Sequence, residues 1–177
     1  MRPLENRWQR LLAWDLHWCL RMNRASGVPW ICALFRAASR LGDGMVWYAL
    51  MAALLLADDP RAVESVLSMF MAGVVGLAIY KALKRSTSRP RPYQVQRRIR
   101  LATPPLDHFS FPSGHTLHAV SLSIIAIAYY PFLAPLLITI TVLIAASRVI
   151  LGLHYPSDVF AGTAIGVALA AVILMLV

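Results

Sequence analysis

Residues 112–158 read PSGHTLHAVSLSIIAIAYYPFLAPLLITITVLIAASRVILGLHYPSD, and this stretch decides the fold. It holds two apolar runs, about 113–130 and 132–150, broken by Pro131. Each is close to the ~20 residues a helix needs to cross a bilayer. A polar block stands at either end: PSGH at 112–115 and SRVILGLHYPSD at 147–158. Two successive crossings return a chain to the face it left, so the two blocks share one side of the membrane.

Working outward, 157–177 is a further apolar segment and 62–83 another. Between 62–83 and the first run lies the one long polar connection, 84–112, opening with KRSTSRPRP at 84–92. It closes one span and leads into the next, which sets this third block on the same face. Its prolines, Pro90, Pro92, Pro104, Pro105 and Pro112, argue against a continuous helix. Upstream, 28–57 is apolar but interrupted by Arg36, Arg40, Gly42 and Asp43. Its first half, 28–41, reads as a partly interfacial helix and Gly42 to Ala57 as a span; one tilted helix through both is the alternative. Residues 58–61 form a turn. Gly73 and Gly76 allow close helix approach. The fold expected is all-α, a polytopic bundle of five spans, or six if the first half of 28–57 crosses separately.

Residues 4–24 mix Trp8, Leu11, Leu12, Trp14, Leu16, Trp18, Leu20 and Met22 with Arg7, Arg10, Arg21 and Arg24. That pattern suits an amphipathic helix in the headgroup region, with the tryptophans as interfacial aromatics and His17 as a polar interface residue. This stretch is too polar for the core of a cleavable signal peptide. The chain therefore divides into an N-terminal interfacial segment, 1–27, and a transmembrane domain, 28–177.

The chain has 177 residues, 59% hydrophobic and 14% charged, with a mean hydropathy of +0.63. A soluble domain is about 45–50% apolar, so this is a multi-spanning membrane protein. Its net charge of +9 then points to anionic lipid and to orientation rather than to nucleic acid. Cys19 and Cys32 are too few for a disulfide framework or a metal cluster and read as packing residues.

Ionisable groups beside spanning helices are costly and mark function. Pro112 suits the first turn of a helix, whose N-terminal N–H groups around Ser113 to His115 favour an anion. Lys84, Arg91 and Arg148 add fixed positive charge. Arginine grips phosphate oxygens bidentately and lysine acts as a point charge. His154 and Asp158 are four apart across Pro156, a helix start that brings the carboxylate back toward the histidine. A carboxylate on one ring nitrogen frees the other to attack. His115 is a second histidine, available as acid. Separately, His-Tyr-Pro-Ser-Asp also reads as a plain helix start capped by Ser157 or Asp158.

Lys84 to Pro92 fits K-x6-R-P, PSGH fits whole, and Ser147 to Asp158 fits S-R-x5-H-x3-D. Three such motifs in order resemble the type 2 phosphatidic acid phosphatase superfamily, which also holds vanadium haloperoxidases. The resemblance runs from about residue 44 to the C-terminus. It implies a membrane lipid phosphatase that forms a phosphohistidine and needs no metal or other cofactor. By resemblance, His154 is the nucleophile, Asp158 orients it, and His115 protonates the leaving oxygen. Lys84, Arg91, Arg148, Ser113 and the Gly114 backbone bind phosphate. The implied partner is a phospholipid or isoprenyl-phosphate substrate within membrane lipid, with undecaprenyl pyrophosphate, phosphatidic acid and phosphatidylglycerophosphate as candidates. No nucleic-acid partner is expected, and no oligomeric state is indicated.

The alternative is a non-catalytic protein that binds or transports anionic lipid. Binding needs cations but no nucleophile, so the intact histidines and Asp158 weigh against it. The spans weigh against a soluble haloperoxidase. Positive charge near the active-site loop argues for a cytoplasmic face. Resemblance to bacterial relatives points instead to the extracytoplasmic face of the cytoplasmic membrane, the reading preferred here. Arg97, Arg98 and Arg100 suit anchors or headgroup contacts, His118 the pocket mouth, and His108 the loop. Ser147 either orients Arg148 or packs, Asp107 suits a pair with a loop arginine, and Tyr93 and Phe111 suit either the lipid entrance or packing.

Overall fold

A computed structural model describes residues 2–57 and 59–177, with side chains from residue 9 onward. The expectations for the Arg7 and Trp8 side chains and for Asp58 fall outside what is described. Among the described residues eight α-helices follow in order: α1 (Arg2–Asn23), α2 (Pro29–Leu41), α3 (Met45–Leu56), α4 (Ala62–Thr87), α5 (Pro92–Val95), α6 (Gly114–Tyr129), α7 (Ala134–Ile150) and α8 (Pro156–Leu176). Short 3₁₀ turns at Arg24–Gly27 and Pro131–Leu133 link α1 to α2 and α6 to α7. The all-α class is as expected, without strands among the described residues.

α4, α7 and α8 are long and apolar enough to cross a membrane, while α3 and α6 are shorter apolar helices. At 1.5 Å per residue, α6 covers only about 24 Å and α3 about 18 Å. The region 28–57 is two helices, not one. Gly42 to Gly44 breaks it, with Gly44 at φ +115°, where a side chain would be strained. α4 runs past the expected end of its span, so Lys84 sits in its last turn rather than in the loop. Cations favour a helix C-terminus. Ser88, at φ 45°, stops the helix by returning its N–H to the Lys84 carbonyl. The prolines keep most of 88–112 irregular, as expected.

α6 lies at the centre, packed by α4, α7 and α8. Leu117, Ala119, Ile125 and Ala126 on α6 are fully buried with Met69, Ala72, Ile144 and Ala170. Outward positions on the long helices, such as Leu67, Phe70, Val142, Val167 and Val172, stay exposed. Helices apolar on both faces suit lipid outside and core within.

The tightest approach is α8 onto α6. A Cβ at Gly162 would stand 2.6 Å from the Ser113 carbonyl, and one at Gly166 2.7 Å from the Leu117 carbonyl. Two glycines four apart let backbones meet at this range. Of the glycines expected to do this on α4, Gly76 does, with a Cβ position 2.9 Å from Leu117. Gly73 does not: its face opens on empty space, because the cavity described below lies beside it.

α1 also docks onto the bundle. Asp15, Cys19 and Asn23 are buried, while Trp14, His17 and Trp18 stay exposed. Asn23 donates to the Ile150 and Arg100 carbonyls and accepts from the Arg100 N–H at 2.7 Å. The end of α1 thus pins both α7 and the polar loop.

Gly166→Ala forces a methyl into backbone and should cost about 1–3 kcal/mol. Gly73→Ala meets open space inside a helix and should be neutral or stabilise by up to about 1 kcal/mol. Thermal unfolding in detergent micelles measures both.

Candidate active site

A cavity of about 510 Å³ opens among α3, α4, α6, α7 and the polar loop. Lys84, Arg91, Gly114, His115, Arg148 and His154 all line it. Residues 64 positions apart in sequence, Lys84 and Arg148, therefore face one space. Ser113 and Asp158 are fully buried and do not line it.

His154 sits on the turn between α7 and α8. The N–H groups of Leu153 and His154 both reach the Arg148 carbonyl at 3.0 Å. Gly152 makes the turn possible: its φ is +79°, and a Cβ there would stand 2.5 Å from the Arg100 carbonyl. The His154 ring is buried, its Nε2 3.4 Å from Arg91 Nη1. Burial, with Arg148, Arg91, Lys84 and His115 nearby, holds it well below the ordinary histidine range. A neutral ring has a lone pair to attack with.

Asp158 stands beside this ring, but its Oδ2 is 3.6 Å from His154 Nδ1, beyond a hydrogen bond. Among the described residues Nδ1 has no partner. The carboxylate is engaged elsewhere. Oδ2 accepts the Tyr155 N–H at 2.9 Å, capping α8, and Oδ1 meets Arg89 Nη1 at 2.6 Å. The helix-start reading of this block therefore holds alongside any role toward His154.

Arg89 joins two fully buried acids. Its other amino group reaches Asp15 Oδ2 at 2.7 Å, and its guanidinium lies 4.0 Å over the Tyr155 ring. Asp15 also accepts the Ser157 N–H at 3.0 Å and its hydroxyl. Cys19 lies one turn further along α1, its thiol 3.6 Å from the His154 carbonyl.

The phosphate-side cations differ in their pairing. Lys84 Nζ lies 2.7 and 2.6 Å from the two Asp107 oxygens, and Arg91 Nη2 lies 2.8 Å from one of them. Burial raises the Asp107 carboxyl, but Lys84 and Arg91 outweigh it and hold it below the ordinary carboxylate range. Arg148 has no ion pair among the described residues. One amino group meets the Ser39 hydroxyl on α2, and its buried Nε is unpartnered. An uncompensated buried guanidinium on a cavity wall is an anion seat.

Ser113 caps α6, pairing with Thr116, and its N–H donates to the Asp158 carbonyl at 3.1 Å. Its hydroxyl and N–H are thus occupied, whereas Gly114 and His115 beside it line the cavity. His115, in the first turn of α6, places Nε2 2.7 Å from Asp43 Oδ1. His118 lines the cavity with its two nitrogens facing the Gly114 and Gly73 carbonyls, at 2.9 and 3.2 Å, rather than pairing with His115. Ser147 bonds back to the Ile144 carbonyl, and Tyr93 packs on the Cys19–Ile99–Val149–Tyr155 cluster. His108 is exposed.

Histidines, cations and topology now stand together, and the sequence profile of the PAP2 superfamily matches residues 61–177. The chain belongs to the PAP2 superfamily. This PAP2 protein is 29% identical over 145 residues to the decaprenylphosphoryl-5-phosphoribose phosphatase of Mycobacterium tuberculosis, covering 82% of this chain and 80% of that one. It is 28% identical over 129 residues to the undecaprenyl-diphosphatase of Sulfolobus acidocaldarius, covering 72% and 62%. Among solved structures, Aquifex aeolicus LpxE matches with a TM-score of 0.80 at 26% identity, over 91% of this chain and 94% of that one. The protein is a membrane phosphatase of this superfamily.

Ser39, Asp43 and Arg89 contact the candidate residues, Asp15 reaches them through Arg89, and none of the four was singled out from the sequence. The only signal for Arg89 was its place inside the first block. For Asp43 it was the two flanking glycines, and for Asp15 an acid isolated among arginines and tryptophans.

Removing one partner of a buried ion pair costs about 3–5 kcal/mol. Asp15→Asn leaves Arg89 still paired with Asp158, so a loss near the lower end, about 3 kcal/mol, is expected together with reduced turnover. Denaturation and phosphate release on the same preparation test this.

Proposed function

We propose that this protein hydrolyses a phosphate monoester or pyrophosphate carried on a lipid, through a phosphohistidine on His154. The observation that supports this best is His154 itself: a buried neutral imidazole facing three cations across one cavity. Lys84, Arg91 and Arg148 hold the equatorial oxygens, where charge spreads in phosphoryl transfer. Asp107 gives up Lys84 and Arg91 as the phosphate enters. His154 Nε2 attacks phosphorus, the bond to the leaving oxygen breaks, and His115 supplies that oxygen with a proton. Water, deprotonated by His115, then attacks the phosphohistidine and releases inorganic phosphate. Asp158 fixes the turn that carries His154, and Gly114 shapes the cavity wall.

The relatives matched over most of their length favour a polyprenyl-linked substrate, with phosphatidic acid and phosphatidylglycerophosphate as the other arms of a test. Segment 1–27 serves as the interfacial and docking element and 28–177 as the catalytic membrane domain. The cytoplasmic membrane of a bacterium, with the cavity on the extracytoplasmic side, suits such a substrate.

Phosphate release from a panel of these lipids tests the substrate class. His154→Ala should lose at least about a thousandfold in kcat; a folded variant with full turnover overturns the mechanism. Because His154 titrates below the ordinary value of 6.5, the ring stays neutral as pH falls through that point. The acid limb of kcat/KM arising from this group should therefore lie below 6.5.

A further inference from the structure

We infer that Asp43 is the positioning residue of the general acid, holding the His115 imidazolium so that it can protonate the leaving oxygen. The inference rests on the phosphatase reading above, through His115. Asp43 lies before residue 61, where the match to the superfamily begins.

The geometry is built for this contact. Asp43 Oδ1 is 2.7 Å from His115 Nε2 across 72 residues of sequence. Asp43 stands between two glycines, each with its own demand. Gly44 takes φ +115°, which turns the chain from α2 into α3. At Gly42 a Cβ would stand 2.6 Å from the Cδ2 atom of the His115 ring. Any larger residue would push the imidazole away. The turn therefore packs against the ring with its backbone and holds it with its carboxylate.

Charge explains the need. A proton on His115 shares the cavity with Lys84 from α4, Arg91 from the polar loop and Arg148 from α7. His154, on the turn before α8, is neutral and offsets nothing. Asp107 also faces the cavity, but it lies against Lys84 and Arg91 and makes no hydrogen bond to His115 among the described residues. Asp158 is held by Arg89 and does not line the space. Asp43 is the carboxylate left to stabilise an imidazolium there. The carboxylate favours the protonated ring against burial and those cations, so that His115 can carry the proton it delivers.

Bonds and protons balance simply. In the first step the His154 Nε2–P bond forms, the P–O bond to the leaving group breaks and one proton passes from His115 to the leaving oxygen. In the second, a P–O bond forms to water, the P–N bond breaks and His115 takes one proton from that water. Asp43 forms and breaks no covalent bond. It orients the ring and offsets its charge in both steps.

The leaving group supplies the test. An alkyl oxygen needs a proton to depart, whereas a nitrophenolate leaves without one. Asp43→Asn should lower kcat/KM, which reads the leaving-group step alone, by about a hundredfold on a lipid alkyl phosphate. On nitrophenyl phosphate the loss should be at least tenfold smaller, and Asp43→Glu should restore part of the alkyl rate. Gly42→Ala, which displaces the same ring, should reproduce the selective loss and serves if Asp43→Asn does not fold. Equal losses on both substrates, or none on either, overturn the inference. His154→Ala run alongside separates the two readings. If it abolishes both reactions while Asp43→Asn is blind to the leaving group, only the Asp43 assignment falls. If it retains turnover, the phosphohistidine reading falls.

Discussion

A guanidinium locked between two buried carboxylates governs the active end of this protein. Arg89 joins Asp15 on α1 to Asp158 on α8, and neither acid touches solvent. Buried ions are costly when single and more tolerable when matched, as here, although Arg89 Nε has no partner among the described residues. The match here has a structural consequence. It ties three segments, the N-terminal helix, the polar loop and the start of α8, into one unit beneath His154. Asp158 is therefore less a partner dedicated to the histidine than a joint in this frame, with Arg89 on one oxygen and the Tyr155 N–H on the other.

The frame depends in turn on how closely α8 can approach α6. Gly162 lets the Ser113 carbonyl come within reach, and the Ser113 N–H then bonds the Asp158 carbonyl. Backbone contact at that one place sets the PSGH block against the SRVILGLHYPSD block. Side chains on the cavity wall inherit their separation from it. A methyl group there would act on the chemistry as well as on stability.

Much of this was legible in the sequence because it is local. Apolar runs of near-spanning length marked the helices, and their number put the blocks of Lys84, Arg91, His115, Arg148 and His154 on one face, where these five side chains line one cavity. What was not legible depends on pairing across the chain. Asp15 and Asp43 each lie in segments without a recognisable motif, and their partners are 74 and 72 residues away. An acid in a basic helix reads locally as a surface charge. Only packing shows that it is buried. Gly73 and Gly76 make the same point at smaller scale: both are glycines on one apolar helix, yet one meets α6 and the other opens on the cavity.

Asp107 has a consequence for competition at the membrane surface. With no substrate, a carboxylate of one negative charge already occupies Lys84 and Arg91. An incoming headgroup must replace it. A phosphodiester, as in the bulk lipids of a bilayer, also offers one negative charge, so the exchange gains little. A terminal phosphate carries close to two and adds a second demand for Arg148, which has no counter-ion among the described residues. The diester headgroups of a bilayer thus meet, at Lys84 and Arg91, two cations that the protein's own side chain already engages.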